Sequence, residues 1–123
     1  MQNETNSAMS IFSAHEANSS EGWVAHPTCP GVLLKHLVRG TDNGGSCSLS
    51  LVRIDPGCEI ATHRHEGRSE VHHVLRGSGA CHMGERLAYS EGTMAHIPPQ
   101  AEHRVVAGPE GLSLVAIFAP ALF

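Results

Sequence analysis

The stretch GCEIATHRHEGRSEVHHVLRG, residues Gly57 to Gly77, sets four histidines and three glutamates between two glycines. Histidine is abundant in this chain, with ten in 123 residues. At that density about 0.8 His-x-His pairs arise by chance, so His63-Arg64-His65 alone does not define a site. Its surroundings decide. Side chains two apart on an extended strand point to the same side, so His63 and His65 can meet one metal ion. Glu66-Gly67-Arg68-Ser69 has the composition of a turn bent at Gly67. Glu70 then opens the next strand and faces the same point. Two imidazoles and one carboxylate on one side of a metal leave positions open for substrate or oxygen. His103 lies just past Pro98-Pro99, at the start of another extended segment, and can add a nitrogen from across the fold. Glu66 directly follows His65 and faces away on a continuing strand.

Outward from this stretch, the chain is a series of short segments with strand character. They are GVLLKHLVRG (31–40), SCSLSLVRID (46–55), EVHHVLRG (70–77), GACHM (79–83), ERLAY (85–89), TMAHIP (93–98), HRVVAG (103–108) and LSLVAIFA (112–119). Several alternate apolar and polar residues, and turn signals fall at 41–45, 56–57, 77–79, 91–92 and 108–111. No segment carries a helical stripe. Many short strands at even spacing imply a β-sandwich or barrel.

With these residues in place, the chain resembles the cupin superfamily. The first cupin motif runs Gly, five residues, His-x-His, three or four residues, Glu, six residues, Gly. Gly57, His63, His65, Glu70 and Gly77 match every fixed position. The second motif is represented by Gly92, Pro98 and His103, with Gln100 where the family has Gly and Ala107 where it has Asn. The resemblance spans about residues 48 to 119. It implies an all-β fold, a single antiparallel β-barrel of the jelly-roll type, and a metal bound by His63, His65, Glu70 and His103. One divalent transition metal per chain is expected, with Fe, Mn, Ni, Co and Zn all compatible with these donors.

A three-His, one-Glu site suits a small-molecule metalloenzyme of the dioxygenase, lyase or isomerase type. His72 shares the parity of Glu70 and is a candidate acid–base group behind the metal, while Glu70 itself can have a dual role as ligand and proton carrier. His73 points the other way, towards packing. His82 and His96 depend on turns that spacing does not fix. A non-catalytic cupin that senses a small ligand or metal is an alternative, and a sugar or sugar-phosphate isomerase or epimerase is another. No clear anion pocket supports the last.

Composition narrows the partners. The formal net charge is −4 and no basic run exists, which argues against nucleic acid. No window approaches the roughly 20 apolar residues of a membrane span. Cys29, Cys47, Cys58 and Cys81 form no C-x-x-C pair and read as reduced, mostly buried thiols. The first residues lack the features of a secretory signal, so a cytoplasmic location is expected. Residues 1–21, rich in Asn, Ser, Thr and Glu, read as a weakly ordered arm before a barrel domain over 22–123. Ile11-Phe12 in the arm and the apolar C-terminal run are candidate contacts of a homodimer, the usual state of small cupins.

Overall fold

The computed structural model describes residues 9–123, and the first eight residues of the expected arm lie outside them. The strands are β1 (Trp23–Ala25), β2 (Val32–Val38), β3 (Ser48–Ile54), β4 (Glu59–His63), β5 (Ser69–Met83), β6 (Glu85–Ser90), β7 (Met94–Ile97) and β8 (His103–Ala119). They pair antiparallel in the order β1-β2-β3-β8-β5-β6, with β4 added to β8 and β7 to β5. This is the antiparallel jelly-roll barrel that the resemblance implies.

Two expected breaks do not end strands. The segments on either side of Gly77–Gly79 form the single 15-residue β5, and those on either side of Gly108–Gly111 form the 17-residue β8. The glycines mark bulges instead, where the β5–β8 register shifts between Val74 and Arg76 and between Gly77 and Gly79. Gly77 sits at φ 83°, and a Cβ there would run into the Gly111 carbonyl oxygen. Only glycine allows the two backbones to meet so closely. The bend lets β8 pair with β3 along one half and with β4 along the other, while β5 follows it throughout.

Alternation along the strands sends Val32, Leu34, Val52, Ile54, Leu112, Leu114 and Phe118 into the barrel. Fully burying each such side chain is worth about 1.5–3 kcal/mol. The inward face of β5 breaks this pattern. Glu70, His72 and Val74 are all buried, while Val71 between them is exposed and His73 is half-buried. A carboxylate and an imidazole therefore occupy positions that an ordinary barrel fills with aliphatic residues, and each requires a polar partner there.

The later part of the expected arm is structured. Ser13 caps a short helix, α1 (Ala14–Asn18), by accepting from the His15 amide at 3.3 Å. Lys35 donates to the Glu16 carbonyl at 3.0 Å, and Arg76 donates to Asn18 at 3.1 Å. These bonds hold α1 over the outer sheet face, where it walls a groove of about 830 Å³ that includes Leu37, Leu49, Leu51 and Leu75. No described helix is long and apolar enough to cross a membrane.

Candidate metal centre

Four elements bring the expected ligands together. His63 ends β4 and stands directly across from His103, which opens β8. His65 follows in the connection to β5, and Glu70 is the second residue of β5. The connection turns at Gly67, with φ 67°. Its path is fixed from two sides. The Gln100 amide donates to the His65 carbonyl at 3.1 Å, and Arg68 Nε donates to the Ala121 carbonyl at 3.0 Å. The His65 ring also packs edge-on against Phe118, with centroids 4.8 Å apart.

One nitrogen from each of His63, His65 and His103, together with one Glu70 oxygen, all lie within 4.8 Å of one another. His103 Nε2 is 3.2 Å and His65 Nε2 is 3.5 Å from Glu70 Oε1. Carbonyl oxygens only accept, so Nδ1–H of His63 donates to Ala61 at 2.7 Å and Nδ1–H of His103 donates to Ala101 at 2.9 Å. In the neutral rings this leaves both Nε2 atoms bare, with their lone pairs free. His65 Nε2, His103 Nε2 and Glu70 Oε1 are buried with no hydrogen-bond partner. Each such orphan costs about 1–3 kcal/mol. A divalent cation would satisfy all of them at once, and imidazole nitrogen with carboxylate oxygen is a donor set that transition metals accept. The residues fit a metal.

Electrostatics follow the same geometry. Burial works to raise the Glu70 pKa, but contacts with His103, His65 and His72 outweigh it and hold the carboxyl well below the usual carboxylate range. Burial works to lower the His103 pKa, and the adjacent Glu70 carboxylate and the Ala101 carbonyl more than offset that, so it is raised. The His63 pKa is lowered, chiefly by burial and also by the neighbouring His103 and His65.

His72 lies inside the barrel behind Glu70. Its Nε2 is 2.7 Å from Glu70 Oε2, and its Nδ1 is 2.8 Å from the Tyr89 hydroxyl. Both ring nitrogens are thus engaged, and the ring faces Glu70 rather than open space. Glu66 is exposed and paired with Arg64 at 3.4 Å on the surface. His96 is exposed on β7 and His82 is half-buried on β5, with neither in the cluster. Tyr89 was not anticipated by sequence reasoning. The only signal was its place in ERLAYS, where its partner across the strands is Gly79, and that pairing could not be read before the register was known.

Comparison with known proteins places this geometry in a family. The sequence profile of the cupin domain matches residues 50–118. The chain belongs to the cupin family. This cupin is 35% identical over 99 residues to dimethylsulfoniopropionate lyase DddW of Ruegeria pomeroyi, an overlap of 79% of this chain and 64% of that protein. The chain thus spans under two-thirds of that relative's length. Among solved structures it is similar to KdgF from Halomonas sp., with a TM-score of 0.75 and 23% identity over 92% of this chain and 94% of that one. It is also similar to ectoine synthase from P. lautus, with a TM-score of 0.75 and 20% identity over 93% and 80%. At these identities the structural matches speak for the fold alone.

Proposed function

We propose that this cupin is a metal-dependent lyase that eliminates a leaving group from a small organic acid, with dimethylsulfoniopropionate as the first substrate to test. The observation that carries the reading is the buried cluster of three histidines and Glu70, with unpartnered donor atoms, in a chain 35% identical to a lyase. His63, His65, Glu70 and His103 would hold one divalent transition metal. When bound, such a metal acts as a Lewis acid that draws charge from the substrate carboxylate and eases loss of the neighbouring proton.

The chain's own residues supply the rest. Elimination from a β-sulfonium acid breaks the Cα–H and Cβ–S bonds, forms a carbon–carbon double bond and releases a neutral sulfide. The sulfur takes the Cβ–S electron pair, and a base takes the proton. Glu70 is assigned as that base in addition to being a ligand. It is held ionised, and its Oε1, which would hold the metal, has no hydrogen-bond partner in the chain and would accept the proton only on leaving the metal. His72 steadies Oε2 and keeps the carboxylate oriented.

The test is purified protein loaded separately with Fe, Mn, Ni, Co and Zn and given dimethylsulfoniopropionate. Release of the volatile sulfide and the unsaturated acid in equal amounts, lost on chelation, is the expected result. Oxygen uptake with diols, β-diketones or catechols would point to a dioxygenase instead. A metal-loaded protein that binds small acids and turns over none would be the sensing cupin.

The same reading expects a cytoplasmic protein, in keeping with four free thiols, and a second copy of the chain as partner. Met9 and Ile11 are 82% and 80% exposed and lie in the same arm that walls the apolar groove at α1. The chain thus carries both an apolar projection and an apolar recess, the self-complementarity that a two-fold pair needs. A monomeric mass by light scattering would count against it.

A further inference from the structure

The two oxygens of Glu70 have different surroundings. Oε1 faces His65 and His103 without a hydrogen bond, and Oε2 faces His72 at 2.7 Å. We propose that Tyr89 is a positioning residue for the metal centre, fixing the tautomer of His72 so that His72 pins Glu70 Oε2 and leaves Oε1 alone for the metal. The inference rests on the metal reading of the cluster.

Hydrogen-bond polarity carries it. An ionised carboxylate only accepts, so His72 Nε2 must bear the hydrogen it shares with Oε2. A neutral imidazole then has a bare Nδ1, which can only accept. The Tyr89 hydroxyl, 2.8 Å away, is the group that donates to it. His72 and Tyr89 are 2% and 3% exposed, so water does not readily replace either partner. Tyr89 stands across the strands from Gly79. The buried Cys81 thiol lies near the Tyr89 hydroxyl. Burial raises the pKa of the Tyr89 phenol, with Cys81 adding to the effect, so the phenol keeps its hydrogen and remains a donor.

The row therefore reads Tyr89 O–H to His72 Nδ1, then His72 Nε2–H to Glu70 Oε2. Without the hydroxyl, Nδ1 has no donor, and His72 keeps only one of the two bonds that hold it in that tautomer. With the hydrogen on Nδ1 instead, Nε2 would present a lone pair to Oε2 and repel it. Glu70 would then swing, and the metal would lose an aligned ligand. Tyr89 acts through two other residues and touches neither substrate nor metal, so its effect falls on metal affinity and ligand-field geometry.

The test uses the full chain uniformly labelled with ¹⁵N. Long-range ¹H–¹⁵N spectra of the metal-free protein read the His72 tautomer directly. The expected result is a single Nε2–H tautomer in the wild type and loss of that single state in Tyr89→Phe. Titration with Co²⁺, followed by visible absorption, gives the second readout. Tyr89→Phe should weaken Co²⁺ binding by about tenfold to a hundredfold, the usual cost of losing a partner behind a ligand. His72→Gln should stay much closer to wild type, because its amide can donate to Glu70 while its carbonyl accepts from Tyr89. His72→Leu should lose at least as much as Tyr89→Phe, and adding Tyr89→Phe to it should change nothing further. Thermal melting of each variant shows that it folds. An Nδ1–H or doubly protonated His72 in the wild type overturns the proposal. So does a Tyr89→Phe protein whose Co²⁺ affinity stays within about twofold of wild type, outside the range expected for such a partner. Wild type with the expected tautomer but no Co²⁺ uptake would instead overturn the metal reading, and with it the purpose assigned to the row.

Discussion

The two sides of Glu70 are built on opposite principles. Behind it, towards Tyr89, the donors and acceptors pair, and the bonds of 2.7 and 2.8 Å are as short as such bonds usually are. In front, towards the barrel end, three buried donor atoms converge and none has a hydrogen-bond partner. A fold that satisfied only its own stability would not leave the front side as it is, since each orphan is costly and hydrogen bonds are available one residue pair away. On the proposed reading, the rear is structure in service of the front. Substitutions on the two sides should therefore fail differently, and that contrast can be measured.

The largest effect is expected in front. The double substitution His63→Ala, His65→Ala removes two of four donors, and metal content should fall from about one per chain to near zero by elemental analysis, because a site with half its donors no longer competes with water. The metal-free protein should barely notice the His63 change. That side chain is only half-buried, and its Nδ1 bond to Ala61 is local. His63→Ala alone should change metal-free stability by no more than about 0.5 kcal/mol, typical of such positions. Retention of metal by the double variant would end the contrast at once.

Behind Glu70 the order reverses. His72→Leu in the metal-free protein strands a buried carboxylate oxygen and a buried hydroxyl, and should cost about 2–4 kcal/mol in urea denaturation. Unchanged stability would mean that the paired row is incidental packing.

Protons compete with metal in front, and the competition has a definite sign. The raised pKa of His103 means that in the metal-free protein its pairing with Glu70 contributes stability below the unfolded-state value of about 6.5, and loses it as pH rises through the folded value. Glu70, with its lowered pKa, contributes stability above the unfolded value of about 4.3 and loses it only as pH falls through its folded value. Bound metal requires His103 to be neutral. The gain in melting temperature on adding metal should therefore be small near about pH 5.5 and grow towards about pH 8, with metal at about 100 times Kd adding about 2.7 kcal/mol where no proton competes. A gain that stays flat across this range would show that His103 is not a ligand.

How much of this was legible before folding differs between the two sides. The front was written in the chain order. Gly57, His63, His65, Glu70 and Gly77 are local, and a period of two with a turn is enough to aim three side chains at one point. His103 lies 38 residues beyond His65, and the second motif is what ties it to the site. The rear was half legible. Parity along β5 carried His72 inward with Glu70, but Tyr89 enters through the β5–β6 register, a tertiary fact. The glycine pairs at 77–79 and 108–111 read as turns in the sequence for the same reason. Glycine signals a departure from regular extension, and only the partner strand decides whether the chain reverses or merely bends.

The departure from the second motif at Gln100 yields the smallest prediction. The family places glycine here, and the structure keeps the backbone that glycine would adopt. Gln100 has φ 72°, the one positive value at a non-glycine residue among those described. It is held there because its amide donates to the His65 carbonyl and because Ala101 closes the turn onto Pro98 at 3.3 Å. The left-handed conformation costs an L-residue about 1–2 kcal/mol, and glycine gives back part of that through its freer unfolded chain. Gln100→Gly should thus raise stability by about 0.5 kcal/mol, read from the urea midpoint. It should leave metal content unchanged, because the side chain is exposed and only the backbone touches the site. If the variant instead loses metal, the Gln100 side chain has a role at the front that its exposure conceals, and the division between the two sides of Glu70 would need to include the turn that braces His65.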